Sequence, residues 1–168
     1  MADKYLRNNS GVITELEATV TSAGAGNAGD IVALDGTGKL DNSVMPVGIG
    51  ADTAVLATTE NLSAGDFVNI FNDSGTPKAR KADATTTGKF AHGFVLAGTT
   101  SPNNATVYFE GTNTQVSTVT GGRLYLATTA GGWTATAPSA SGNVVQAIGV
   151  GTSSTTINFE PEAPVVLA

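Results

Sequence analysis

The chain has 168 residues, 25 of them Thr and 21 Gly, with 40% hydrophobic and 13% charged residues and a formal charge of −6. A domain of this length buries roughly 70% of its unfolded surface, so a core is within reach without staples. The lack of Cys excludes a disulfide framework, a thiolate metal site and a Cys nucleophile; the acidic balance argues against a phosphate-backbone partner, which takes clustered Lys and Arg; and no run approaches the ~20 apolar residues of a membrane-spanning helix.

Thr suits the half-buried surface of a sheet and Gly spoils helices, so the fold expected is all-β. The first residues, Met1-Ala2-Asp3-Lys4-Tyr5-Leu6-Arg7, carry charges where a secretory signal would be apolar, and a chain made and assembled in a cytoplasm is expected. Residues 10–22 place Val12, Thr14, Leu16, Ala18 and Val20 on one face and Glu15, Glu17 and Thr19 on the other, the period of a strand. Gly24-Ala25-Gly26-Asn27-Ala28-Gly29 offers no large side chain and reads as a flexible link. Residues 1–28 are therefore expected to be an N-terminal arm with its linker, and residues 29–168 the body.

The same Gly-rich run fits G-x-G-x-x-G. A dinucleotide site needs a helix after the last glycine, whereas Asp30-Ile31-Val32-Ala33-Leu34 is a strand pattern led by an acid that would repel phosphate. Asp35-Gly36 predicts a tight turn before Lys39-Leu40, and Pro46 and Gly48-Ile49-Gly50 punctuate the chain.

The second half carries an internal duplication. A shift of 56 lays Val68-Asn69-Ile70 on Leu124-Tyr125-Leu126 and Gly93 on Gly149; a shift of 50 lays Val107-Tyr108-Phe109-Glu110 on Ile157-Asn158-Phe159-Glu160. Two repeats, about 64–111 and 121–161, predict two similar four-stranded sheets packed as a compact sandwich or barrel. Val68, Ile70, Val107, Phe109, Leu124, Leu126, Ile157 and Phe159 are expected to point inward. Helix is limited to a turn or two near Thr59 to Ala64.

Chemistry is sparse in the sequence. The single His, His92, sits in an apolar stretch beside Gly93 and is read as structural rather than as a base or ligand. Asp35, Asp41, Asp66 and Asp73 lie near glycines without the dense spacing of a calcium loop, and turn chemistry accounts for them. Lys78, Arg80 and Lys81 read as charges guarding a strand edge. Trp133 is expected in the core or at a subunit interface. Glu110 and Glu160 hold equivalent repeat positions, which favours a shared strand-end role over a catalytic pair. A carbohydrate-binding sandwich or glycan hydrolase is disfavoured accordingly. No catalytic residue, metal or cofactor is assigned, and the chain is expected not to be an enzyme.

Three segments carry a resemblance. Gly29-Asp30-Ile31-Val32-Ala33-Leu34-Asp35-Gly36-Thr37-Gly38-Lys39-Leu40-Asp41-Asn42-Ser43-Val44-Met45-Pro46 resembles a string recurrent in phage fibre and appendage proteins. Ala64-Gly65-Asp66-Phe67-Val68-Asn69-Ile70, with Lys78-Ala79-Arg80-Lys81-Ala82-Asp83-Ala84, resembles the repeat of bacteriophage capsid decoration (cement) proteins. Leu124-Tyr125-Leu126, Thr134 to Ser139 and Val144 to Gly149 are similar to segments of phage head and tail proteins. The resemblance implies a homotrimer on the outer surface of the virion that bridges neighbouring major capsid proteins, with no nucleic-acid or membrane partner. The alternative is a trimeric head or tail fibre or baseplate appendage, which the lack of a long repetitive shaft disfavours. The arm is expected to add as a strand to a neighbouring subunit, with Tyr5, Leu6, Arg7, Val12 and Leu16 as its contact residues.

Overall fold

The computed structural model describes residues 3–46 and 51–168 and is all-β, with no α-helix among the described residues. The chain divides into two compact units, Met1–Gly50 and Ala51–Ala168.

In the first unit, β1 (Lys4–Asn9) and β2 (Val12–Glu17) form an antiparallel hairpin with Tyr5 opposite Leu16 and Asn9 opposite Val12. The alternation expected over 10–22 thus holds within β2, but the strand stops at Glu17 and pairs within its own chain. Ser10 and Gly11 take φ of 55° and 92°, the left-handed pair that a two-residue turn needs to match strand twist. Asn8 Oδ1 accepts from the Gly11 N–H at 2.8 Å.

Beyond the hairpin, Thr19 bridges Val32 in parallel. Between them the Gly-rich run forms a 3-10 turn, Gly24–Asn27. Asn27 supplies the anchor that the glycines lack: its Oδ1 accepts from the Ala23 N–H at 2.6 Å and its Nδ2 donates to Asp30 at 3.0 Å. The run is therefore tied down within the first unit, and the units part after Gly50 rather than after Ala28. The Asp35-Gly36 turn is present, closed by the Asp35 N–H on the Lys39 carbonyl at 2.7 Å. A second 3-10 turn, Asn42–Val44, is capped by Asp41. Gly48-Ile49-Gly50 lies outside the described residues.

The second unit contains two five-stranded antiparallel sheets. The first comprises β3 (Thr53–Ala57), β4 (Phe67–Asp73), β5 (Thr76–Lys81), β6 (Gly93–Val95) and β7 (Asn104–Tyr108), ordered β3-β7-β6-β4-β5. The second comprises β8 (Gly111–Asn113), β9 (Gly122–Leu126), β10 (Trp133–Thr134), β12 (Ala147–Ser153) and β13 (Thr156–Phe159), ordered β10-β9-β12-β13-β8. A separate pair joins β11 (Val144–Val145) to β14 (Val165–Val166). Laying β4, β5, β6 and β7 on β9, β10, β12 and β13 brings the two strand orders into coincidence, with β3 and β8 as the added fifth strands.

The main core draws on both sheets: Phe67 and Phe94 meet Leu124, Leu126, Ile157 and Phe159. The Phe159 ring lies 5.6 Å from each of Phe67 and Phe94. Val68 and Val107 instead join Leu62, Ala79, Val95 and Ala105 in a second cluster, with Ile70 and Phe109 partly buried against it. The expectation that these four face the second sheet is corrected. Both faces of this sheet are apolar, so the phase of its strands was ambiguous by one residue, and one residue exchanges the faces. Thr59 to Ala64 forms no helical turn; Leu62 pairs with Thr99 through two backbone bonds of 2.9 Å, which satisfies its polar groups and buries its side chain.

Backbone bonds also tie the halves of this unit together. Gly131 donates to the Ala82 carbonyl at 2.8 Å and accepts from the Phe67 N–H at 2.9 Å, while Ala84 donates to the Ala127 carbonyl at 3.0 Å.

Candidate interaction surface

The hairpin register decides which arm residues share a face. Residues paired directly across an antiparallel ladder project to the same side, and neighbours along a strand alternate. Tyr5, Arg7, Val12 and Leu16 therefore share one face, whereas Leu6 lies on the other beside Ile13. The five expected contact residues do not form a single patch.

Their exposure also differs. Tyr5 and Leu16 are half-buried, while Leu6 is 71% exposed, Val12 62% and Ile13 60%. The Tyr5 hydroxyl is buried and has no hydrogen-bond partner among the described residues. Arg7 approaches Gly29, its guanidinium 3.6 Å from where a Cβ would stand. The side chains of Asn27 and Thr19 hold the Asp30 carboxyl below its ordinary range, with a smaller contribution from the Arg7 charge. Arg7 is thus engaged within its own unit. Lys4 and Glu15 form an exposed ion pair at 2.6 Å, a type that contributes little to stability. Ile13 was absent from the expected contacts; the adjacent apolar pair Val12-Ile13, which breaks the alternation, was the available signal.

Across residues 3–46 no side chain is buried, although eight large apolar residues are exposed there. They include Ile31, Leu34 and Leu40 in the second half of the unit. Residues 51–168, over more than twice the length, expose four and bury two clusters. A two-stranded hairpin is at best marginally stable in water, and units of this size ordinarily need staples or association.

The remaining polar features are engaged locally. Asp35 Oδ1 accepts from the N–H groups of Thr37 and Lys39 at 2.8 and 3.0 Å, and Asp41 Oδ1 accepts from that of Ser43 at 2.9 Å. The Lys39 N–H, then the Thr37 hydroxyl and N–H, hold the Asp35 carboxyl below its ordinary range, and the Ser43 side chain, then its N–H, do the same for Asp41. Asp66 accepts from the Ser63 N–H at 2.7 Å and pairs with Lys81 at 3.0 Å. Asp73 pairs with Lys78 at 2.7 Å. Arg80 donates to Asn69 at 2.9 Å and lies 4.2 Å over the Phe71 ring. Thus each cation of the Lys78, Arg80, Lys81 run on edge strand β5 has a partner in its own chain.

His92 lies on the surface, and its Nδ1 accepts from the Ile70 N–H at 3.0 Å. Partial burial pushes its pKa down from 6.5, and the accepted bond requires an unprotonated Nδ1. Trp133 is half-buried against the main core. Glu110 and Glu160 are exposed at strand ends. A groove of about 390 Å³ runs along Arg123, Gly149, Val150, Glu160 and Glu162, with Arg123 paired to Glu162. A smaller hollow of about 150 Å³ beside Asp30 is below the usual size of a small-molecule site.

Comparison with protein-family models, with curated proteins and with solved structures yields no match to the chain.

Proposed function

We propose that the chain is a non-enzymatic structural protein of a bacteriophage particle, decorating the outer capsid surface as a homotrimer that bridges neighbouring major capsid proteins. The observation that carries this reading is the contrast between a packed all-β body and an N-terminal unit whose described apolar side chains, over residues 3–46, all stay partly or largely exposed. Such a unit suits a protein that works in an assembly. The local engagement of His92 and of the turn aspartates also favours a structural role. Three-fold closure lets one modest contact act three times, so weak contacts to a shell sum to a firm hold.

Adding the purified chain to particles that lack it tests the proposal. Binding should saturate in multiples of three copies and raise the temperature at which the shell opens. Failure to bind the shell at saturating concentration would reject decoration.

A trimeric fibre or baseplate appendage is the second reading. It is favoured by one observation: the fibre-like segment, Gly29 to Pro46, lies inside the first unit, where no residue from 3 to 46 is buried.

A further inference from the structure

We propose that His92 is an acid-released latch: unprotonated, its imidazole fastens the end of the β4–β6 ladder and the turn at residues 85–90; protonated, it swings into water and lets both open. The proposal goes beyond capsid decoration and does not rest on it. The ladder pairs Phe67 with Phe94 and Val68 with Gly93, and the His92 N–H adds a bond to the Val68 carbonyl at 2.8 Å. There the chain leaves β4, because the backbone of Ala91 turns to Gln146. Ile70, two residues further along β4, meets no strand carbonyl on that side, and its N–H donates instead to His92 Nδ1 at 3.0 Å.

A second donor aims at the same nitrogen. Asn69, 1% exposed, sets its Nδ2 3.4 Å from Nδ1 while donating to the Phe90 carbonyl at 2.8 Å. A protonated Nδ1 is itself a donor, so it would face two donors and no acceptor. Flipping the Asn69 amide would present its oxygen to the ring, but Arg80 blocks the flip. Its Nε donates to Asn69 Oδ1 at 2.9 Å, and the reversed amide would set its NH2 group against that N–H and lose the Phe90 carbonyl. The imidazole can leave without unpacking the core, since His92 lies on the surface. What loosens is the turn at residues 85–90, whose other hydrogen bond to the strands runs from Arg80 to the Gly88 carbonyl at 3.3 Å. Ala84 and Ala91, on either side, are held separately by Ala127, Val144 and Gln146.

The charged residues on the surrounding elements do not retain the ring. On β4 and β5, Asp73 pairs with Lys78, Lys81 pairs with Asp66, and Arg80 is occupied by Asn69 and Gly88. In the connecting segment Asp83 accepts from the Thr85 N–H at 2.7 Å, Lys89 is the other charge, and β6 carries none. None of these bonds to the imidazole, so no carboxylate holds its protonated form in place. Burial lowers the His92 pKa from 6.5, so the latch is closed at neutral pH and opens as pH falls below that value.

Amide exchange of the full-length protein by NMR, from about pH 7 to about pH 5, tests this, with the ring-carbon shifts of His92 reporting its titration. Protection of Ile70 and of residues 85–90, corrected for intrinsic exchange, should fall at least about tenfold with the His92 midpoint, while β9 and β12 stay protected. His92→Asn places a non-titrating oxygen where Nδ1 stands and should keep Ile70 protected in acid, whereas His92→Ala should leave it open at neutral pH. Unchanged Ile70 protection after His92 has titrated would overturn the proposal, as would a ring that stays neutral throughout. So would the same acid opening in His92→Asn, or full protection of Ile70 in His92→Ala. Each of these results leaves shell binding standing.

Discussion

Gln146 turns both ends of its side-chain amide onto the backbone of Ala91, accepting from the N–H at 2.8 Å and donating to the carbonyl at 3.0 Å. Both residues are buried, and the pair acts like one more rung of ladder made by a side chain. Replacing Gln146 by Leu leaves two buried backbone groups without partners, each costing about 1–3 kcal/mol. Gln146→Leu is therefore expected to lose about 2–5 kcal/mol in urea unfolding. A change below about 0.5 kcal/mol, the range of a neutral surface substitution, would contradict this role.

Gly93 and Gly149 are held by close backbone approach. An added Cβ at Gly93 would stand 2.5 Å from the Tyr108 carbonyl oxygen, and one at Gly149, where φ is +138°, would overlap that of Asn158. Gly142, with φ of +81°, has open space around it. Alanine at Gly149 should thus cost more than about 3 kcal/mol, whereas at Gly142 only the left-handed conformation is penalised, by about 1–2 kcal/mol. Thermal unfolding of both variants checks the order, and equal losses would show that the clash is relieved by backbone movement.

These two glycines also mark how far the sequence could be read. The shift of 56 pairs Gly93 with Gly149, the shift of 50 pairs Tyr108 with Asn158, and the structure places each glycine against the corresponding carbonyl. Strand alternation and turn residues were legible because they are local. The phase of β4 was not, since Phe67 and Val68 are both fully buried and only tertiary packing separates their clusters. The hairpin was hidden because β1, Lys-Tyr-Leu-Arg-Asn-Asn, has no alternating apolar pattern. In the expected contact set, Leu6 was grouped with residues on the opposite face because that face depends on pairing with β2.

Phe159 joins the sheets through its contacts with Phe67 and Phe94. Phe159→Ala should cost about 3–5 kcal/mol, the range for emptying a buried aromatic site. Denaturant unfolding measures it, and a loss under about 1 kcal/mol would mean that the core closes over the gap.

His92 gives stability a pH dependence of defined sign. Its folded-state pKa is lowered from 6.5, chiefly by burial, so the unfolded chain takes up the proton more readily. Its contribution is full above about 6.5 and is lost as pH falls through the lower folded-state value. Protonating Nδ1 also removes the acceptor for the Ile70 N–H. His92→Ala should flatten the fall in melting temperature on going from pH 7 towards 5; an unchanged slope would assign that fall to other groups.

Capsid decoration by a trimer is tested most directly by a cryo-EM map of the native particle. Density is expected for three copies of the 118-residue β body at three-fold and local three-fold positions, in register with the shell lattice and touching neighbouring major capsid subunits. Density for this chain only at a unique vertex or along a tail, or as single isolated copies on the shell, would contradict it.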